Sequence, residues 1–291
     1  MSRIIIFYLL GLMSLCGVSP LYAATLIQIF SAKTPDSSEL ANHLTQHITD
    51  DIQVVITPTL EAKADLLIVL NKDYIDKLPK ERPPALFVLP QPLAIELQKK
   101  DSALYWTPSL AMQLALIKAM LPATNRIGML VGVDSEDQSW LRMFKQYAKE
   151  QGVDVVLQTV DKGRIGRQVS DLAVSTDVLL AQPDINIYNR ETIRFILLAA
   201  YRQNKALIGP SLAFVNAGAL ATLYASANSV NQDISQRVSY FLAQKKLPNA
   251  GRVKKMELGI NAQVAKSLGL PVFNSEELQT KIHVEELPIW P

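Results

Sequence analysis

Residues 109–131, SLAMQLALIKAMLPATNRIGMLV, change hydrophobic pattern partway along. Leu110, Leu114, Ile117 and Leu121 recur at helical spacing, and Ser109 stands where a helix cap is expected. Pro122-Ala123-Thr124-Asn125 then interrupts the helix. After Arg126, Ile127-Gly128-Met129-Leu130-Val131 is a continuous apolar run, as in a strand buried on both faces. A helix, a break and a buried strand are half of a βαβ unit, so this stretch predicts a parallel sheet with helical crossovers.

The same alternation extends in both directions. Strand-like runs are expected at Thr25–Phe30, Ile52–Ile56, Leu66–Leu70, Leu86–Leu89, Arg126–Val131, Asp154–Thr159, Val178–Ala181 and Ala206–Ile208. Helices are expected at Ser37–Ile48, Ser109–Leu121, Gln138–Gln151 and Asn189–Gln203. This order argues for doubly wound α/β layers with right-handed crossovers. About four strand–helix units precede Pro122, and a new series starts at Arg126. The expected fold is therefore two Rossmann-like lobes with a ligand cleft between them. The expected partition is residues 24–121 plus 222–248 for lobe one and 122–221 plus 249–285 for lobe two. In the last part, a helix over Asp233–Lys245, a strand over Lys254–Ile260 and a short helix ending at Gly269 are expected. No internal repeat is visible.

The N-terminus has its own pattern. Arg3 precedes the apolar stretch Ile4–Val18, and Ser19-Pro20 leads to the small residues Ala23 and Ala24. This reads as a cleavable signal peptide over residues 1–23 and predicts export to the periplasm. The apolar run is shorter than the roughly 20 residues a spanning helix needs. Cys16 raises lipidation as an alternative, but Leu15 is a poor residue to precede a lipidated cysteine. Once Cys16 is removed no cysteine remains, so disulfides are excluded. Lys and Arg number 29 against 27 Asp and Glu, interspersed, which argues against nucleic-acid or anionic-membrane binding.

From about Thr107 onward the chain resembles one family. Gln113–Pro122 followed by Asn125–Val131 resembles its helix, proline and second-lobe strand. Val133–Gly152 stands where the family has an acidic, serine-containing loop before an amphipathic helix. Asp177–Asn186 (DVLLAQPDIN), Lys205–Leu220 (KALIGPSLAFVNAGAL) and Val253–Pro271 follow in the family's order. The family is that of ABC transporter substrate-binding proteins with the class I periplasmic binding protein fold, in the branch that includes aromatic amino-acid binders. Residues 25–106 match it poorly and look like a shortened first lobe.

The resemblance implies a periplasmic solute-binding protein of an ABC-type importer, with a small polar ligand, plausibly an amino acid, in the cleft. It implies a membrane permease as partner and a monomer, with no nucleic acid and no cofactor. The alternative is a ligand-sensing or interaction partner of a membrane-bound signalling protein. Ligand-binding candidates are Ser31, Thr107, Glu136, Ser139, Asp184, Ser211 and Tyr224, with Thr34, Ser109, Tyr105, Trp106, Asp137, Asn186 and Tyr188 as weaker neighbours. Each has a structural alternative. Ser139 and Ser109 could serve only as helix caps, Asp184 as a loop carboxylate, and Tyr105 and Trp106 as core. His43 and His47 have the i,i+4 spacing of a metal pair, but no third ligand is visible, and no metal is expected. No Gly-x-Ser-x-Gly elbow and no phosphate-cradling loop is present, so no catalytic residue is expected.

Overall fold

A computed structural model describes residues 24–91, 97–132, 139–160, 163–184 and 186–282. The chain forms two six-stranded sheets of matching order. The first contains β1 (Thr25–Phe30), β2 (Ile52–Thr57), β3 (Leu66–Val69), β4 (Ala85–Leu89) and β5 (Ser102–Tyr105), joined late in the chain by β11 (Gly251–Arg252). The second contains β6 (Arg126–Val131), β7 (Asp154–Thr159), β8 (Val178–Leu180), β9 (Ala206–Ile208) and β10 (Ala221–Tyr224), closed by β12 (Glu257–Ile260). The order is β11-β5-β4-β3-β1-β2 in one and β12-β10-β9-β8-β6-β7 in the other. All pairings are parallel except β10 with β12. The two-lobed α/β fold expected from the sequence is thus the fold observed.

The strands are apolar throughout because both faces are covered. In the second lobe, Ile127, Met129, Val178, Leu180 and Ile208 pack beneath α2 (Leu110–Met120), α3 (Ser139–Glu150) and α9 (Ser275–Lys281). Leu130, Leu179 and Leu207 face α4 (Ile165–Ser175), α5 (Ile193–Arg202) and α6 (Leu212–Ala217). Each fully buried Leu or Ile contributes about 1.5–3 kcal/mol by leaving water. In the first lobe, Ile27, Ile29, Ile68 and Leu86 pack beneath α1 (Pro35–His47) and α7 (Ala227–Gln244).

The other face of the first sheet carries Phe30, Leu67, Val69, Phe87 and Leu89. Among the described residues no α-helix lies between β2 and β5, so loop residues Leu60, Tyr74, Ile75 and Leu78 cover that face. Gln28, fully buried on β1, pins one of these loops: its amide donates to the Thr59 carbonyl at 2.8 Å and accepts from Glu61 N–H at 2.9 Å.

The lobes share one further device. Asp65, just before β3, accepts the N–H of Leu26 at 2.8 Å. Asp177, just before β8, accepts the N–H groups of Asn125 and Arg126, both at 2.8 Å. Each carboxylate fixes the amino end of its lobe's first strand. The repeat is one of topology, which no sequence repeat announces.

Three parts of the expected partition need correction. Helix α2, expected in lobe one, packs in lobe two, because Leu114, Ile117 and Met120 join the core under Ile127 and Phe144. Strand β10 pairs with β9 and β12, so residues 221–224 belong to the second sheet. Strand β11 pairs with β5, so residues 251–252 belong to the first. Strands β5 and β11 and helices α4, α6 and α9 were not expected. Within β5, Ser102 and Ala103 dilute the apolar signal. Gly163 just before α4 and Gly166 in its first turn read as loop. Residues 1–23, read as a signal peptide, and Glu136 and Asp137 lie outside the described residues. Among the described residues no helix is long and apolar enough to cross a membrane.

Candidate functional site

Among the described residues the chain passes between the sheets three times: from β5 to α2, from β10 to α7, and from β11 to β12. Each passage leaves the carboxyl end of a strand. Helices α2 and α7 and the antiparallel strand β12 each start at the edge where the parallel strands of their own sheet end. The carboxyl edges of the two sheets therefore face each other. In open α/β sheets this is where ligands bind, and here two such edges border one cleft.

The candidates distribute along these edges and crossings. On the first lobe Ser31 follows β1; it is buried, and its hydroxyl donates to the Ala32 carbonyl at 2.9 Å. Thr34 caps α1 in a reciprocal box with Ser37. At the first crossing Trp106 is 39% exposed, whereas Tyr105 is buried. Thr107 is buried, and both its N–H and its hydroxyl donate to the Pro90 carbonyl. Ser109 caps α2 by accepting the N–H of Met112 at 3.2 Å.

On the second lobe Ser139 opens α3. Asp184 follows β8 and accepts the N–H of Asn186 at 2.9 Å, a local turn bond. Asn186 is exposed. Tyr188 is core: it packs edge-on against Phe214, and burial pushes its phenol well up. Ser211 stands at the start of α6 with no side-chain cap bond. At the second crossing Tyr224 donates to Glu257 at 3.0 Å. Burial, then this acceptor and its charge, raise the Tyr224 phenol. The hydroxyls of Ser226 and Tyr224 hold the Glu257 carboxyl below its ordinary range. Glu136 lies outside the described residues. Ser31, Thr107, Ser211 and Tyr224 thus stand at carboxyl edges or crossings, with the hydroxyls of Ser31, Thr107 and Tyr224 already bonded within the protein.

His43 and His47 stack at 4.0 Å with their planes 17° apart. Stacked, near-parallel rings keep their lone pairs in separate, near-parallel planes, so the pair does not converge on one ion. Among the described residues no group of three or more metal-ligating side chains comes together. Burial, and then the neighbouring His47, lower the His43 imidazole.

Two features escaped the sequence reading. The Gln182 amide, just past β8, donates to the buried Gln113 of α2 at 2.9 Å, linking that loop to the first crossing. Arg252 ends β11 at the third crossing. It donates to the Thr107 carbonyl at 2.8 Å and lies 5.9 Å from the centre of the Tyr105 ring. Burial lowers its guanidinium. No spacing rule flags a lone arginine in a two-residue strand.

The comparisons agree with this architecture. A conserved domain protein from Vibrio cholerae is 18% identical, with a TM-score of 0.60 over 89% of this chain and 98% of that one. An ABC domain from Streptococcus pneumoniae, in complex with L-Trp, is 16% identical, with a TM-score of 0.57 over 89% and 98%. A ligand-free, open substrate-binding protein with adhesive properties from Clostridium difficile is 16% identical, with a TM-score of 0.68 over 87% and 96%. At these identities the likeness is one of fold. No curated protein sequence matches. The model of the family described as ABC transporter substrate binding protein matches residues 108–281, more than half of the chain. On this match, and with two sheets facing each other across three crossings, the chain belongs to the ABC transporter substrate-binding protein family and has the class I periplasmic binding protein fold.

Proposed function

We propose that this protein is the periplasmic solute receptor of an ABC-type importer, exported by residues 1–23, and that its cleft holds a small polar ligand of the amino-acid class. The observation that carries the reading is the meeting of two carboxyl sheet edges at three chain crossings, in a chain of this family. Such an arrangement supports hinge closure around a solute. The L-Trp in the S. pneumoniae structure supports the amino-acid class. Candidate contacts are Ser31, Thr107, Glu136, Ser139, Asp184, Ser211 and Tyr224, and the partner of the closed form is a membrane permease.

Mass spectrometry of small molecules released from the purified protein tests this reading, together with thermal shifts across the free amino acids. Binding to the folded state raises the melting temperature by mass action. A co-purified amino acid, or a saturable shift with one, is the expected result. No released solute and no shift with any amino acid would overturn the amino-acid assignment.

A further inference from the structure

Among the described residues three arginines are wholly or partly removed from water, and only two of them meet a carboxylate. Arg82 forms a forked pair with Asp101, at 2.8 and 2.6 Å, with side chains only 5% and 0% exposed. Arg237 pairs with Asp233 at 3.2 Å. Arg252 is half-buried, and among the described residues no carboxylate faces it. Among the described residues its side chain makes one hydrogen bond, from Nη1 to the Thr107 carbonyl, and the Tyr105 ring lies beside it. A guanidinium has five N–H donors in a planar fork. Among the described residues no other acceptor meets this fork, and a partly desolvated cation gains most from an opposite charge.

Arg252 pairs in register with Tyr105, so it stands at the carboxyl end of its strand, where the third crossing leaves the first sheet. Trp106 and Thr107 of the first crossing follow Tyr105 directly. Of the three, the arginine that meets no acid among the described residues is thus the one at the cleft edge.

We propose that Arg252 anchors the carboxylate of the cleft ligand and selects carboxylic acids, amino acids among them, over neutral solutes. The guanidinium fork matches the two oxygens of a carboxylate. The inference rests on the cleft being the solute site proposed above. The competing role is a plain hinge tie between Arg252 and Thr107.

The test compares wild type, R252M and R252K by calorimetry and thermal shift, using free L-amino acids and their carboxamides. A free acid is expected to bind the wild type, and its amide to bind about 10-fold or more weaker. R252M is expected to lose the free acid, with R252K recovering part of it. Ligand-free R252M is expected to melt at or above the wild-type temperature, because an uncompensated cation has left a half-buried site. Amides that bind as well as acids, or R252M that keeps the affinity, would overturn the anchor. So would ligand-free R252M melting well below wild type with R252K restoring it, which is the signature of a hinge tie. If no amino acid binds, the amino-acid reading falls, and acetate against acetamide at high millimolar concentration decides the anchor. A shift with acetate confined to the wild type keeps it; equal shifts, or none, in wild type and R252M reject it.

Discussion

The Nε of Arg237 lies 3.2 Å from Oδ1 of Asp233, one turn back along α7, and the pair holds the last part of the first lobe together. Oδ2 of Asp233 accepts the N–H of Lys254 at 3.0 Å. Nη1 of Arg237 donates to the Asn249 carbonyl at 2.9 Å and to the Ser102 hydroxyl at 3.3 Å. Helix α7, strand β5 and the chain on both sides of β11 thus share one buried network.

Breaking this pair on one side leaves an uncompensated buried charge. D233A is expected to cost about 3–5 kcal/mol. The double substitution D233L/R237M, which removes both charges, is expected to cost less than D233A alone. Denaturant unfolding of the three proteins measures both values. A loss below about 1 kcal/mol for D233A would show that solvent replaces the partner.

Gly128 lies on β6, where the sheet packs closely under α4. A Cβ there would stand 2.8 Å from Leu172 Cγ, 2.8 Å from Leu179 Cδ2 and 2.9 Å from Thr176 Oγ1. G128A is therefore expected to overpack the second lobe and cost about 1–3 kcal/mol. Thermal unfolding of G128A measures the loss, and an unchanged melting temperature would mean that α4 gives way freely.

Asp177 serves two backbone N–H groups at the start of β6. D177A is expected to cost about 1.5–3 kcal/mol, the range for bonds to a charged group, and D177N less, since it keeps a neutral acceptor. Hydrogen exchange at the amides of Asn125 and Arg126 reports the local opening. Equal protection in wild type and D177A would remove this role from Asp177.

The Tyr224–Glu257 bond joins the second and third crossings and makes stability depend on pH. The Ser226 and Tyr224 hydroxyls lower the Glu257 carboxyl in the folded protein. A carboxyl lowered on folding contributes above its unfolded value, about 4.3, and the contribution is lost as pH falls through the folded value. The stability advantage of wild type over Y224F is therefore expected to be full near neutrality and to shrink below pH ~4. Unfolding curves across acid pH check the sign, and an advantage that grows in acid would contradict it.

Much of the fold was legible in the sequence because burial on both faces leaves a plain mark. Arg126–Val131, Asp154–Thr159 and Ala206–Ile208 are strands with the bounds their apolar runs suggest. Strand β5 was not legible, since Ser102 and Ala103 pack well in a sheet yet carry little hydrophobic signal. Of the candidate residues, Asp184 follows β8 as its position after a buried run suggests, whereas Ser211, read as lying near a crossing, stands between β9 and β10 of one sheet. Tyr188 went to the core, because a ring beside a loop carboxylate reads the same whether it points out or in.

The sequence by itself determined most of the element types, the parallel α/β class and the two-lobed plan, which follow from local periodicity. Only the tertiary structure decided which sheet owns α2, β10 and β11, because a helix apolar on most sides, or a strand of two residues, can pack against either lobe. The tertiary structure also decided that Arg82 and Arg237 have acids and Arg252 has none among the described residues. Charge pairing here joins residues as far apart as 82 and 101, and that neighbourhood exists only once β4 and β5 lie side by side in the first sheet.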